Sequence, residues 1–140
     1  NGFSTEDAEI IKKNVENRLK KAEQIENETK KFTRYKIRGK SNSKNLIIAW
    51  GSTKGAILDV IKDLDCEFLQ ILYIEPFPEI KDILKGKNLI LIENNSTAQL
   101  GQLITEKTGI FINDKNKILR YDGRPFLADE LNEEIKSRLR

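Results

Sequence analysis

One segment, residues 45–55, constrains the fold of this chain more than any other. Residues 46–50 form an uninterrupted apolar run, which is typical of a strand buried on both faces of a parallel sheet. Gly51 allows a sharp turn, and Ser52 and Thr53 are favourable N-cap residues for a following helix. Apolar residues then recur at close to helical spacing. The segment therefore predicts the strand, turn and helix that open a βαβ unit.

The rest of residues 32–140 repeats this alternation of strands and helices. Further apolar runs predict buried strands over residues 68–74, 89–92 and 118–121. Further helices are predicted over residues 79–84, between a cap at Ser96 or Thr97 and Gly109, and over residues 128–139. Residues 32–38 alternate in character, which predicts an edge strand with one exposed face. Because strands alternate with helices, we predict an α/β fold with a doubly wound parallel sheet.

The segment before this domain, residues 4–31, is highly charged and carries a thin apolar stripe at helical spacing. Its start can be capped by Ser4, Thr5 or Asp7. So narrow a stripe is typical of a helix that lies on something larger. Either the helix docks on its own domain or it is a linker from an upstream domain. We describe residues 1–31 as this leading helix and residues 32–140 as the α/β domain.

Length and charge exclude several classes of function. The chain has 140 residues, enough for one domain with a core, and its net charge of +3 is too small to indicate a nucleic-acid partner. No apolar run approaches the roughly 20 residues that a membrane span needs. The first residues have no basic and apolar regions of a secretory signal. We therefore predict neither a nucleic-acid nor a membrane partner.

The absence of histidine and the presence of a single cysteine restrict the chemistry further. They exclude zinc and iron–sulfur sites built from clusters of these residues, and they exclude histidine-dependent nucleophilic catalysis. Cys66 cannot form an internal disulfide, which fits a reducing cytoplasmic location, and we predict an inert buried thiol. The carboxylates form no recognisable pair. The sequence thus indicates something other than a free-standing enzyme.

Two polar segments follow predicted strands and are candidate binding sites. The turn before the first crossover helix contains Gly51, Ser52, Thr53 and Lys54, and such a helix start can accept a phosphate or carboxylate. It matches neither the Walker A nor the GxGxxG pattern, so a tight turn with a helix cap is the simpler interpretation.

The second segment carries Asn94, Asn95 and Gln99 at the carboxyl end of a predicted strand, where open α/β sheets place their sites. Asparagine also caps helices for local reasons, so a structural role is equally open. Arg124 precedes Pro125 in a turn and offers a planar fork suited to a carboxylate or phosphate, although an intradomain ion pair is the simpler use.

Four segments in matching order carry a family resemblance: AWGSTKGAILDVI (49–61), LYIEPFP (72–78), LILIENNSTAQLGQLI (89–104) and RYDGRPF (120–126). Together they resemble the C-terminal part of the alpha subunit of archaeal and bacterial 2-oxoacid:ferredoxin oxidoreductases, over about residues 45–140. The resemblance implies a three-layer α/β/α sandwich similar to the transketolase C-terminal domain. Its five-stranded sheet would be mostly parallel, with an antiparallel first strand at residues 33–38.

The same resemblance implies a place in a complex that decarboxylates a 2-oxoacid on thiamine diphosphate, transfers the acyl group to coenzyme A and reduces ferredoxin through an iron–sulfur cluster. The family's thiamine diphosphate, Mg and cluster sites lie elsewhere in the complex. No cofactor, metal or catalytic residue is therefore expected in this chain, which would be inactive alone.

The implied role is a non-catalytic assembly domain. Its partners would be the beta subunit and the upstream alpha-subunit domain, with the gamma region where present, while ferredoxin and coenzyme A are reached through the whole complex. The candidate interface or anion-binding residues are Gly51, Ser52, Thr53, Lys54, Asn94, Asn95, Gln99 and Arg124.

A second interpretation, from a different class, stays open. The chain would be a stand-alone α/β module, flavodoxin-like in outline, that binds an anionic ligand at the helix N-terminus formed by Ser52 and Thr53. Such a module should carry a concave site lined by its own residues, whereas a domain from an assembly should expose an apolar patch. A receiver-like regulatory domain is disfavoured, because no acidic cluster follows the first buried strand.

Overall fold

The structure is a computed structural model that describes residue 2 and residues 4–139. The chain divides into two compact units, Asn1–Thr33 and Arg34–Arg140. The first unit contains helix α1, Ala8–Thr29, whose start is capped by Asp7. The Asp7 carboxylate accepts hydrogen bonds from the backbone N–H groups of Glu9 and Ile10, at 2.9 and 3.1 Å. Of the predicted caps, the carboxylate is thus the one used.

The second unit is built on one five-stranded sheet. Its strands are β1 (Tyr35–Gly39), β2 (Asn45–Trp50), β3 (Glu67–Ile71), β4 (Asn88–Glu93) and β5 (Lys117–Leu119). Its helices are α2 (Lys54–Val60), α3 (Lys81–Leu84), α4 (Gln99–Thr108) and α5 (Ala128–Lys136). The strands lie in the order β1-β3-β2-β4-β5, and β1 pairs with β3 antiparallel while all other pairs are parallel. The predicted mixed sheet with an antiparallel first strand is confirmed.

Helices cover both faces of this sheet and create two apolar cores. One core joins β2, β3, β4 and β5 to α2 and α5 through residues such as Ile47, Phe68, Ile57 and Ile135. The opposite core joins the sheet to α3 and α4 through residues such as Leu84 and Ile104. Because the central strands are covered on both sides, their sequences are continuous apolar runs. The predicted three-layer α/β/α sandwich is confirmed.

The edge strand β1 departs from the predicted alternation. Ile37 is 45% exposed and Lys36 beside it is exposed too, while Tyr35 and Arg38 are half-buried. Arg38 is held because its guanidinium Nη1 donates to the Gln70 side-chain oxygen at 2.8 Å. The edge position is therefore as predicted, but the division into one apolar and one polar face is wrong.

Three strands are shorter than predicted, and the first of them, β1, begins at Tyr35 rather than at residue 32. β3 ends at Ile71, where its partner β1 begins. Beyond it the backbone N–H groups of Leu72 and Tyr73 both donate to the carbonyl of Arg34, at 2.9 and 3.2 Å. β5 ends at Leu119, before the turn that precedes α5.

A tight crossing between β1 and β3 depends on Gly39. Its φ of +93° lies in the region that favours glycine, and a Cβ atom there would lie 2.5 Å from the carbonyl oxygen of Cys66. The same carbonyl accepts a hydrogen bond from the backbone N–H of Lys40 at 3.0 Å. The loop that connects β1 to β2 is thereby fastened to the start of β3.

Three asparagine side chains form a buried chain of hydrogen bonds across the amino edge of the sheet. Asn45 and Asn88 begin β2 and β4 and face each other in register, and the Asn88 amide donates to the Asn45 side-chain oxygen at 2.8 Å. Asn116, just before β5, donates to the Asn88 oxygen at 2.9 Å. The Asn88 amide also donates to the carbonyl of Arg138 at 2.7 Å, which ties the end of α5 to this edge.

Candidate functional site at the carboxyl edge of the sheet

The two neighbouring strands β2 and β4 lead their chains to opposite faces of the sheet. The helix after β2, α2, packs in one core, whereas the helix after β4, α4, packs in the other. In open α/β sheets a crevice opens where successive connections diverge in this way, at the carboxyl ends of the strands. The topology therefore places a crevice between the segments that follow Trp50 and Glu93.

Two cavities occupy this edge. The smaller, of about 270 Å³, is lined by Trp50, Gly51, Ser52, Thr53, Asn94, Asn95 and Gln99. The larger, of about 690 Å³, shares Ser52, Thr53 and Asn94 with it and extends to the loop after β5, where Arg120, Tyr121, Arg124 and Phe126 line it. We call the two together the carboxyl-edge cleft.

The cleft gathers the residues that the sequence singles out, with one exception. Seven of the eight candidate residues line it, although they come from three separate segments of the chain. Lys54 is exposed and is not among the lining residues. The structure thus shows the proximity of these side chains, and their function stays a prediction.

The segment after β4 is organised by a buried carboxylate. Glu93 is fully buried, and its two oxygens accept hydrogen bonds from the backbone N–H groups of Leu100 and Gly101 at 3.1 and 3.0 Å. The side-chain amide of Asn95 also donates to Glu93, and the Asn95 oxygen accepts from the backbone N–H groups of Thr97 and Gln99 at 3.1 and 3.3 Å. A negative charge at a helix start is stabilised by the helix dipole and by N–H groups that have no partner within the helix.

This network corrects a prediction about α4. Neither Ser96 nor Thr97 caps the helix, because the N-cap position is Ala98, in the left-handed region with φ 52°. The capping group is instead Glu93, which is brought in by the preceding strand. Asn95 thus has a structural role, one of the two that the sequence allows for it, while Asn94 is exposed at the cleft.

The start of α2 also differs from the prediction. A 3₁₀ turn over Gly51–Thr53 precedes the helix, and neither Ser52 nor Thr53 makes a side-chain cap hydrogen bond. The Thr53 hydroxyl donates backwards to the carbonyl of Trp50 at 2.9 Å. The predicted cap is therefore wrong, and α2 spans only seven residues. An anion site that depends on the dipole of this helix is not favoured.

The loop after β5 is held by Arg120. Its Nη1 donates to the carbonyl of Pro125 at 2.7 Å, its Nη2 donates to Glu130, and its guanidinium lies 5.0 Å from the centre of the Phe126 ring. The hydrogen bond with Glu130 raises the pKa of Arg120 above its ordinary value. These contacts fasten residues 120–126 to α5 and so shape one wall of the cleft.

Arg124 lies on the same loop but is held by a much weaker contact. Its side chain is 80% exposed, and its Nε lies 3.7 Å from a carboxylate oxygen of Asp122. Exposed ion pairs of this kind contribute little, because water screens them. Among the described residues no hydrogen bond is accepted from its terminal guanidinium nitrogens. The planar fork of Arg124 is therefore open to solvent.

Sequence analysis missed two aromatic residues of the cleft. Trp50 is 40% exposed and Tyr121 is 72% exposed. The sequence contains a signal for them, because Trp50 ends β2 and Tyr121 follows β5, and these strands run parallel to β4 between them. Carboxyl ends of parallel strands meet at one edge, so polar and aromatic residues just after such strands belong to one surface.

Other chemistry is restricted in the described part of the chain. It contains no group of three or more His, Cys, Asp and Glu side chains that could hold a metal ion. Cys66 is buried as predicted, and burial, with a smaller effect of the Asp65 charge, raises the pKa of its thiol from 9.0 to about 11. No helix in the described range is both long and apolar enough to cross a membrane.

Comparison with known proteins identifies the family. No family model matches the chain. A crystal structure from Thermoplasma acidophilum, described as the "alpha chain of probable 2-oxoacid ferredoxin oxidoreductase", is 38% identical, and the match covers 74% of this chain and 95% of that chain with a TM-score of 0.51. The chain belongs to the alpha-subunit family of 2-oxoacid:ferredoxin oxidoreductases. The predicted family is thereby confirmed.

Curated members of this alpha-subunit family are much longer than the chain. The 2-oxoacid:ferredoxin oxidoreductase subunit alpha of Saccharolobus solfataricus is 37% identical over 97% of this chain and 22% of its own length. The alpha subunit of 2-oxoacid:ferredoxin oxidoreductase 1 of Sulfurisphaera tokodaii is 39% identical over 86% of this chain and 20% of its own length. The chain thus spans about a fifth of the length of the curated relatives it matches.

A more distant structure supports the fold. The 2-oxoglutarate:ferredoxin oxidoreductase of Magnetococcus marinus, solved with 2-oxoglutarate, coenzyme A and succinyl-CoA bound, matches 99% of this chain and 25% of its own chain with a TM-score of 0.71. Their sequences are 19% identical, so the similarity concerns the fold alone.

Proposed function

We propose that the chain acts as a non-catalytic assembly domain of the alpha subunit of a thiamine-diphosphate-dependent 2-oxoacid:ferredoxin oxidoreductase. The observation that carries this proposal is the match to 95% of a solved alpha chain at 38% identity. The whole complex would convert a 2-oxoacid and coenzyme A to acyl-CoA and reduce ferredoxin. Thiamine diphosphate, Mg and the iron–sulfur cluster would be bound elsewhere in that complex, and this chain alone would not turn over substrate.

Within this proposal residues 32–140 are a transketolase C-terminal-like domain, and residues 1–31 connect it to an upstream domain. The exposed stripe of α1 supports the second part, since its large apolar side chains, such as Leu19 at 62% and Ile10 at 49% exposure, are available for packing. The partners would be the upstream alpha-subunit domain and the beta subunit, with a gamma region where one exists. A cytoplasmic location follows from this role.

The carboxyl-edge cleft is the proposed assembly surface. Tyrosine, tryptophan and arginine are enriched in protein interfaces, and Trp50, Tyr121 and Arg124 all lie exposed at this edge. The polar residues Ser52 and Asn94 between them can supply hydrogen bonds, as a mixed interface requires. The alternative of a stand-alone module that binds an anion at α2 is weaker, because α2 is short and the Thr53 hydroxyl is engaged with Trp50.

The test is a reconstitution. The chain is mixed with the beta subunit and the remaining alpha-subunit region of the same organism, and complex formation is followed by size-exclusion chromatography. We expect co-elution, and 2-oxoacid-dependent ferredoxin reduction only in the full mixture. The same mixture without the chain is the control. Absence of association with either component, or full activity without the chain, would overturn the proposal.

A further inference from the structure

We propose that the carboxyl-edge cleft binds an acidic side chain of a partner protein, and that Arg124 is the residue that holds its carboxylate. This inference rests on the proposed role in assembly and adds the chemistry of the contact. The new element is the type of partner side chain that the cleft binds, which the family assignment does not specify.

The charge of the cleft favours an acidic occupant. The charged residues that line it are Arg120 and Arg124, and no lining residue is acidic. Arg120 is already neutralised by Glu130. The positive charge available to a bound partner group is therefore that of Arg124, because its ion pair with Asp122 is long, at 3.7 Å, and exposed to solvent.

The geometry of the donors suits a carboxylate. A guanidinium presents parallel N–H groups that can bind both oxygens of a carboxylate. Ser52 and Asn94 line the same cavity as Arg124 and are exposed, so a hydroxyl and an amide can add hydrogen bonds to the same group. These donors lie after three different strands and converge on one space.

The size of the cleft and its aromatic rim favour a protein partner over a small anion. A cavity of about 690 Å³ with exposed Tyr121 and Trp50 beside it leaves much apolar surface uncovered by a small ion. Tryptophan, tyrosine and arginine are the residue types most enriched among the residues that dominate protein interfaces. The loop is also pre-ordered, because Arg120 fastens it to α5, and this reduces the entropy lost on binding.

The experiment compares variants in the assembled complex of chain, remaining alpha-subunit region and beta subunit. Arg124→Glu reverses the charge and Arg124→Lys keeps the charge without the fork. Lys62→Glu, in the exposed turn just after α2, is the matched control. Circular dichroism melting verifies that each variant folds. Affinity is measured by isothermal titration of the chain into the other components.

We expect Arg124→Glu to weaken association by at least about 30-fold and Arg124→Lys by about tenfold, as for truncated charge pairs at interfaces, whereas Lys62→Glu stays within about twofold. A scan of acidic residues of the partner, each changed to lysine, should restore binding of Arg124→Glu at one position. Normal association of Arg124→Glu would overturn the inference and leave the proposed function standing.

Two other results separate the possibilities. If the unchanged chain does not associate at all, the proposed function is overturned, and this inference falls with it. If association is unaffected by Arg124→Glu but the isolated chain binds inorganic phosphate or acetate and the variant does not, the cleft is a site for a small anion, and the inference is overturned.

Discussion

The carboxylate of Glu93, at the end of β4, accepts a hydrogen bond from the backbone N–H of Gly101, 3.0 Å away in the first turn of α4. Glycine at position 101 lets α4 pack this close to β4, because a Cβ atom there would lie 2.7 Å from the Leu91 side chain. Strand and helix are therefore joined by a side-chain cap that comes from the sheet itself. The arrangement holds one wall of the carboxyl-edge cleft in place.

Replacement of this carboxylate should destabilise the domain. Glu93→Gln removes the charge and one acceptor oxygen, and we expect a loss of about 1–2 kcal/mol in the free energy of unfolding. Glu93→Ala also leaves a cavity and N–H groups without partners, with an expected loss of about 3 kcal/mol. Chemical denaturation measures both. Glu106→Gln, an exposed change on the same helix, is the control, and equal stability of Glu93→Gln and this control would contradict the cap.

Two glycine-to-alanine changes should have opposite effects. Gly39→Ala places a Cβ 2.5 Å from the Cys66 carbonyl oxygen at φ +93°, and we expect a loss of about 2–4 kcal/mol. Gly55 lies inside α2 with open space around it, so Gly55→Ala should stabilise by roughly 0.5–1 kcal/mol. Thermal and urea unfolding give both values. A neutral Gly39→Ala variant would show that the β1–β2 connection can move away from Cys66.

The asparagine chain should be sensitive at its centre. Asn88→Ala removes the donor to Asn45 and Arg138 and the acceptor for Asn116, all within a buried region. We expect a loss of about 2–4 kcal/mol, because several polar groups lose their partners at once. Asn132→Ala, whose half-buried side chain on α5 makes a hydrogen bond of 3.5 Å to Glu133, should stay within about 0.5 kcal/mol. Similar unfolding midpoints for the two variants would exclude a stabilising role for the chain.

The buried thiol predicts a dependence on alkaline pH. The pKa of Cys66 is about 11 in the folded state against 9.0 for an ordinary thiol, so the unfolded chain ionises first as the pH rises. Stability from this difference is complete below pH 9 and is lost between about pH 9 and 11, since the unfolded state releases its proton there. Cys66→Ala should remove this part of the slope. Iodoacetamide at pH 8 should label the native protein far more slowly than the unfolded one.

The central strands and the layers around them are predictable from sequence, because a strand buried on both faces consists of consecutive apolar residues. Residues 46–50 and 89–92 are continuous apolar runs, and each lies within an observed strand. The residues that cap helices are harder to predict from such local patterns. Glu93 lies outside α4 and several residues before it, so a search for a cap next to the helix finds Ser96 or Thr97 instead.

The asparagine residues of the amino edge stand at recognisable positions in the sequence. Asn45 and Asn88 each stand directly before an apolar run, and Asn116 precedes the last one. Parallel strands in register bring such residues side by side, although 43 positions separate the first two. The pairing depends on which strands are neighbours, and local patterns do not contain that order.

The carboxyl-edge cleft is predictable from sequence only in part. Its position follows from polar residues at strand ends, so seven of the eight candidates line it. The contribution of Arg120 depends on its contacts with Pro125, Phe126 and Glu130, which only the folded loop defines. The sequence predicts Lys54 as part of the turn, but the 3₁₀ turn comprises Gly51–Thr53 and Lys54 begins α2, where it lines neither cavity.

Because β1 is antiparallel to β3, the start and the end of the domain lie at opposite edges of the sheet, and this decides where a probe can be attached. Tyr35 begins β1 opposite Ile71, so the chain enters the sheet at the edge that carries the cleft. The carbonyl of Arg138, near the other end of the domain, lies at the opposite edge against Asn88. An immobilisation tether or fluorophore on the exposed Ser137 would therefore leave the cleft facing solution, which suits this position for surface-based measurements of subunit docking.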